Sequence, residues 1–404
     1  AFIAMKKILY IQYTDPFLWP VVVHGSNILA SKGYKVLFLG VQSVSDISKR
    51  IDMTLNDNVT IKLFWYLDPG VRRKIQYVFF NLWVLMHFIF WRPHVIYASG
   101  KLVCPVAYAI KILSKKTKLI YFEPIYLGEG VQIKPEFVRV SRQRLARIAD
   151  LCLVPNEARL VKFLGDVGDH GNTIFAHNFP RDQEFKGIPF RENPETGKLK
   201  LFCFGFLGPD KLPLQLFEAL EKLKDKVELV VAGIDRYRDP NRGKSHSEII
   251  KNEIKKRELE KNVRYVGLIK RRGDLLQQCS RAEVGLAFTG KTVVKDVKSK
   301  FTTEGDVKIP EFSMAGTSQR PFEYMGLGLV PLVSDLKEWE EFFVKDGYAF
   351  SCNPESSDSI REILLYLYRN RDLLFEKGKR NKEKILSDWN YNNEFKKIQK
   401  YIEN

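Results

Sequence analysis

The chain has 404 residues, 65 Lys and Arg against 48 Asp and Glu, and a formal net charge of +17. With 45% hydrophobic and 28% charged residues, its composition is that of a folded globular protein and excludes a disordered or fibrous one. The positive charge asks for an anionic partner: nucleic acid, an anionic membrane surface or a phosphorylated ligand. Five cysteines (Cys104, Cys152, Cys203, Cys279 and Cys352) stand singly with no CxxC pair. That spacing argues against a disulfide framework or a zinc site and fits a reducing compartment. At about 100 to 200 residues per domain, two or three domains are expected.

Met5-Lys6-Lys7 leads directly into a first strand, Lys7–Gln12, so no secretory leader is expected ahead of it. The loop that follows holds Asp15, Pro16, His24 and Gly25. Further short β-branched or aromatic runs are Lys35–Leu39, Val59–Phe64, His94–Ala98, Lys118–Glu123 and Leu151–Val154, with helix-like segments at His24–Lys32, Val103–Leu113 and Pro135–Ala149. Strands alternating with amphipathic helices predict βαβ units on a parallel sheet. Ile75–Trp91 has no charged residue and follows Arg72-Arg73-Lys74. A membrane span needs about 20 apolar residues. This shorter run, broken by Gln76, Asn81 and His87, reads first as a fully buried crossover helix, next as an interfacial membrane contact, and last as a span.

The polar stretch Arg181–Lys198, with Pro189, Pro194 and Gly197, reads as a linker. A second series follows, with strands Leu199–Gly205, Val227–Ala232, Val263–Gly267, Glu283–Phe288 and Leu329–Ser334. Its helices are expected at Leu212–Lys224, His246–Glu260, Gly273–Ser280 and Ser357–Tyr368, and the charged segment from Arg371 to Asn404 is helical with a break near Trp389–Asn392. The pattern predicts two α/β domains with a cleft between them: residues 1–185, a linker at 186–198, residues 199–380, and a closing helix at 381–404 that crosses back to the first.

The chemistry concentrates in Ala315–Asp335, AGTSQRPFEYMGLGLVPLVSD. Arg320 opens a short helix, Pro321 suits its first turn, and Gly326 and Gly328 end it before a strand. A helix start preceded by Gly316, Thr317 and Ser318 offers backbone N–H groups and hydroxyls to a phosphate, and Arg320 adds a fixed cation. Glu323, one turn on, can accept hydrogen bonds from a sugar diol such as ribose. The competing reading is a surface Arg–Glu i,i+3 pair.

The stretch SQRPFEYMGLGLVPLV resembles the signature P-x-K-x-x-E-Y-M-A-x-G-x-P-V-V of the retaining GT-B-fold glycosyltransferases of the family 4 type. That large family includes sucrose synthase and bacterial lipopolysaccharide and mannosyl transferases. The resemblance places Arg320 at the family's Lys and Glu323 at its ribose-binding Glu. It also implies the fold, two Rossmann-like doubly wound domains facing each other across a cleft. LFCFGFLGPDKLPLQLFEAL is similar to the family's segment after the first strand of the second domain: Gly205 and Lys211 match, while Phe206 and Leu212 replace its Arg and Gly. By resemblance Lys211 neutralises the donor diphosphate as its charge grows, and backbone near Ile269 touches the nucleotide base beside Lys270, Arg271 and Arg272. Only Gly25 remains of the Gly-Gly pair that approaches the donor phosphates, and His24 beside it either takes part in the reaction or caps or packs at a helix start.

Where the family has a His near the reacting centre, this chain has Glu123, with Glu129 farther along. Between Phe122 and Pro124, Glu123 is expected to be either a base or ion-pair stabiliser with a raised pKa, or a satisfied structural carboxylate. The family's other Glu, eight positions before Glu323, is Ala315, so backbone N–H groups near Gly316 and Thr317 would read the donor sugar. The insertion Thr289–Glu311 reads as a mobile lid or a solvated loop. Taken together, the resemblance implies transfer of a sugar from a nucleotide-diphosphate sugar to a glycan or lipid-linked glycan in bacterial surface polysaccharide biosynthesis, with retention and with no metal or other cofactor. The alternative is a catalytically idle scaffold or regulator with the same fold. A cytoplasmic location is expected, with peripheral attachment to an anionic inner membrane face. No zinc pattern, recognition-module aromatics or long basic run supports nucleic acid as the partner. The charge leans forward: 25 Lys and Arg against 14 Asp and Glu over residues 1–190, and 40 against 34 over residues 191–404.

Overall fold

The computed structural model describes residues 6–42, 52–67, 70–124, 135–192, 197–235, 245–289 and 315–403. They form two compact units: of the described residues, 6–178, 315–317 and 391–403 belong to the first, and 179–289 and 318–390 to the second.

In the first unit the chain runs β1 (Lys7–Gln12), α1 (Pro20–Ser31), β2 (Lys35–Val41), β3 (Val59–Phe64), α2 (Val71–Trp91), β4 (Val95–Ser99), α3 (Cys104–Leu113), β5 (Lys118–Phe122), α4 (Glu136–Ile148), β6 (Leu151–Val154), α5 (Glu157–Val167) and β7 (Thr173–Phe175). The sheet is parallel in the order β3-β2-β1-β4-β5-β6-β7. KILYIQ and VIYAS are almost continuously apolar and buried, as strands covered on both faces must be. Strand order reverses between β1 and β4, and their last residues, Gln12 and Ser99, are register partners there.

Two expectations change here. Pro20 sets the first turn of α1, so His24 and Gly25 lie inside that helix, not in a loop or at its start. The segment after Arg72–Lys74 is indeed a helix, but it is not fully buried. Phe80 and Val84 enter the core while the opposite face, including Phe79 and Leu82, is about half exposed. Among the described residues no helix is long and apolar enough to cross a membrane. The exposure follows from position, since α2 leaves the edge strand β3 and packs on α3 along one side.

The second unit contains α6 (Gln183–Lys186), β8 (Leu199–Leu207), α7 (Leu214–Glu221), β9 (Val227–Asp235), α8 (His246–Lys256), β10 (Val263–Gly267), α9 (Arg272–Cys279), β11 (Val284–Ala287), α10 (Arg320–Gly326), β12 (Val330–Ser334), α11 (Lys337–Trp339), β13 (Phe350–Cys352), α12 (Ser357–Arg369) and α13 (Arg371–Ser387). Its parallel sheet has the order β10-β9-β8-β11-β12-β13, with the switch point between β8 and β11. Leucines and valines of β8, β9, β11 and β12 form the core with α7 and α12. Gly285 is required on β11, because a Cβ there would lie 2.1 Å from the Tyr324 ring of α10. That contact lets α10 pack against β11 and β12.

Phe185, in the stretch assigned from sequence to the first domain, packs on Gly326 in the second unit. Residues 381–387 continue α13, where Asn381 donates to the carbonyls of Leu329 and Tyr348. The last helix, α14 (Tyr391–Glu403), belongs to the first unit and packs on α1.

Candidate functional site

In the second unit the carboxyl ends of β8 and β11 diverge at the switch point, where open α/β sheets hold their ligands. Gly205 there has φ +114, and a Cβ on it would stand 3.7 Å from Arg320 Cδ. Arg320 Nη2 donates to the carbonyl of Phe288 at 3.0 Å, one residue beyond β11. Lys211 Nζ reaches Thr289 Oγ1 at 3.0 Å and the Asp210 carboxylate at 3.2 Å. Thr289 is itself clamped: Ser334 Oγ accepts its N–H and donates to its carbonyl, both at 2.8 Å. Burial pushes the Cys203 thiol up, while Arg320 and Lys211 pull it the other way, so both cations act on one point of β8. The structure thus brings Gly205, Lys211 and Arg320 together at the end of this sheet.

Glu323 lies one turn into α10 and is 3% exposed. Its partner is not Arg320 on a surface face. Arg272 Nη2, at the start of α9, donates to Glu323 Oε1 at 2.6 Å. The same guanidinium forms a fork with Glu184, including a 3.0 Å bond to its Oε2. Burial would lower the Arg272 pKa, but the two carboxylates outweigh it and hold the guanidinium firmly charged. Arg272 had been read only as a neighbour of the base-binding loop. Ile269 sits half-buried between β10 and α9, two strands from β8 and therefore about 10 Å along the sheet edge.

The residues ahead of α10 behave differently from one another. Asn156 Nδ2 donates to the Ala315 carbonyl at 2.7 Å, and the Asn178 backbone and side chain donate to Gly316 and Thr317 carbonyls at 2.8 and 3.1 Å. Arg159 Nη2 lies 3.4 Å from Thr317 Oγ1. Gly316 has φ +74, and a Cβ on it would stand 2.1 Å from His177 Nδ1. All these contacts belong to the first unit; Ser318, half-buried, is the first residue of the second. Most of the Thr289–Glu311 insertion, and Glu129, lie outside the described residues.

Glu123 follows β5 and is buried. Arg142 Nε and Nη2, from α4, donate to its two oxygens at 2.6 and 2.9 Å. Tyr121 Oη donates to Oε2 at 2.7 Å, and Lys101 Nζ stands 3.5 Å from Oε1. Burial alone would raise this carboxyl, yet Lys101 and Arg142 hold it below the usual carboxylate value. The raised pKa expected of a base is therefore corrected: Glu123 is an anion fixed by a buried network. The partners Lys101, Tyr121 and Arg142 lie two to 22 positions away, and no local motif announces them.

His24 is buried in α1, with its ring 6.2 Å from that of Tyr391. Gly25 is next to it, and a Cβ there would meet the Phe395 ring at 3.0 Å and Tyr10 Oη at 3.3 Å. The small residue lets α14 approach, which corrects its reading as a loop glycine poised for phosphates.

No protein-family model matches the sequence, and no curated protein matches it significantly. Solved structures do. Sucrose-phosphate synthase from Thermosynechococcus elongatus is 14% identical, with a TM-score of 0.71 over 98% of each chain. Anabaena HepE in complex with UDP and glucose is 12% identical, with a TM-score of 0.69 over 98% of this chain and 99% of that one. A glycosyltransferase from Rickettsia africae is 11% identical, with a TM-score of 0.69 over 99% and 98%. Over its whole length, then, this chain has the GT-B fold, two Rossmann-like units each built on a parallel sheet.

Proposed function

We propose that the chain is a glycosyltransferase that uses a nucleotide-diphosphate sugar. The observation that carries this reading is the switch point of the second unit, where Lys211 and Arg320 converge beside the bare backbone of Gly205. The diphosphate binds to those two cations, whose attraction grows as the leaving group gains charge. The nucleoside extends along the carboxyl edge of the sheet toward Ile269, and its ribose diol donates to Glu323. A carboxylate accepts about four hydrogen bonds, so the single Arg272 contact orients Glu323 without saturating it. The fold likeness to a UDP-bound protein supports the same reading.

The finer assignment rests on the motif resemblance: a glycan or lipid-linked glycan acceptor in bacterial surface polysaccharide synthesis, and retention of configuration. Lys211 and Arg320 take the place of a metal in it, so turnover should survive EDTA. The test is a thermal-shift screen against UDP-, GDP- and ADP-sugars, because a ligand of the folded state raises the melting temperature. Glu323→Ala should then cut kcat/KM by about 10- to 200-fold, the worth of a charge-assisted hydrogen bond. Glu323→Gln, which keeps an acceptor for Arg272, controls for folding. No shift with any nucleotide sugar, or full activity in the folded Ala variant, would sink the assignment and leave the idle-scaffold reading.

A further inference from the structure

One face of α2 is exposed along the helix. Ile75, Val78, Phe79, Leu82, Met86 and Phe90 are each 52–81% exposed. At 100° per residue they share an arc of about 120°. A surface helix normally turns such a stripe inward. Here Phe80 and Val84 already fill that role, so the chain carries a second apolar face, and contiguous exposed apolar faces mark interaction sites. The stripe is bordered by cations: Arg72 and Lys74 fall at its two edges by the same angular reckoning, and α2 contains no Asp or Glu. Beside its last turns lies a groove of about 600 Å³. Met86 and Phe90 belong to both stripe and groove, and Lys35, Lys62 and His87 line the groove with one carboxylate, Asp57.

We propose that this face docks on an anionic lipid bilayer. The helix lies in the plane of the interface with its stripe about 5–10 Å below the headgroups. Arg72, Lys74, Lys35 and Lys62 then meet lipid phosphates. An apolar face edged by cations on both sides fits a medium that is apolar below and anionic at its rim. A second copy pairing its own α2 against this one would bring only further cations. The docking does not depend on the proposed transfer reaction, and its test reads no turnover.

The experiment is flotation of the full chain with phosphatidylcholine vesicles containing 30% phosphatidylglycerol, and with phosphatidylcholine alone, at low and physiological salt. Binding is expected on the anionic vesicles, weakened by salt and at least tenfold weaker on neutral ones. L82D/F90D should lower it at least tenfold, and R72S/K74S by about tenfold or more, with melting temperatures close to the parent because all four side chains lie on the surface. Three results would overturn the proposal. These are no binding to anionic vesicles at low salt, unchanged binding by both folded variants, or a dimer of the parent chain that L82D/F90D converts to monomer.

Discussion

Glu123→Gln separates a structural carboxylate from a reacting one. The change keeps the shape and removes the charge, so Arg142 and Lys101 remain buried beside a neutral amide. Two Arg142 bonds of 2.6 and 2.9 Å, the Tyr121 bond and the Lys101 contact are all weakened at once. Removing one partner of a buried ion pair costs about 3–5 kcal/mol. For a unit of this size about 1 kcal/mol lowers the melting midpoint by ~2–4 °C, so a fall of roughly 6–20 °C is expected. Differential scanning calorimetry reads it directly. Arg142→Gln should cost a similar amount, and the double variant should fall short of the sum by about 0.5–3 kcal/mol, since both residues belong to one network and Arg142 without Glu123 keeps only the exposed Asp166 carboxylate, at 3.2 Å. Turnover per folded molecule, measured well below both midpoints, should drop less than tenfold. An unchanged midpoint with abolished turnover would refute this reasoning and return Glu123 to the reaction.

The same carboxylate sets an acid limit. Its pKa is held below the ordinary value in the folded chain, whereas unfolding restores about 4.3. Its stabilisation is therefore full above roughly pH 5 and lost as pH falls through 4.3 and below. Glu123→Gln should flatten the decline in melting temperature over that window, and parallel curves would contradict the network. Gly316→Ala places a Cβ where φ is +74 and His177 Nδ1 would be 2.1 Å away. It should cost more than the ~1–2 kcal/mol of the backbone conformation alone. Gly33→Ala, with φ +85 and no heavy atom within 4 Å of the new Cβ, should show that backbone cost by itself, and equal losses in both variants would remove His177 from the account.

The second unit was legible where local chemistry and tertiary packing agree. Arg320 opens α10 as Pro321 requires, and β8 and β9 extend two to three residues past their expected ends because each continues to pair with the other. Legibility failed where a partner is distant. His24 looked like a helix start because a polar residue and a glycine precede an apolar run, but Pro20 already fixes the first turn. β7 was missed because all three of its residues are only half-buried, so neither alternation nor a continuous apolar run marks it. The direction of the Glu123 pKa depends on Lys101 and Arg142, 22 positions before and 19 after it on other elements. Burial was inferred correctly from Phe122 and Pro124, and burial without the partner gives the wrong sign.

The residues before α10 carry the same lesson into the candidate site. Gly316, Thr317 and Ser318 read as one phosphate cradle because glycine and hydroxyl residues precede a helix. In the fold they divide between two units after Thr317, and the carbonyls of Ala315, Gly316 and Thr317 are held by Asn156 and Asn178. Gly316 is therefore explained by its backbone and by His177 before any ligand is considered. The hydrogen bonds fix the carbonyls, which phosphate does not use. They orient this turn. A sequence can name residue types suited to phosphate, but which peptide groups the fold has already engaged depends on asparagines about 140 to 160 positions away.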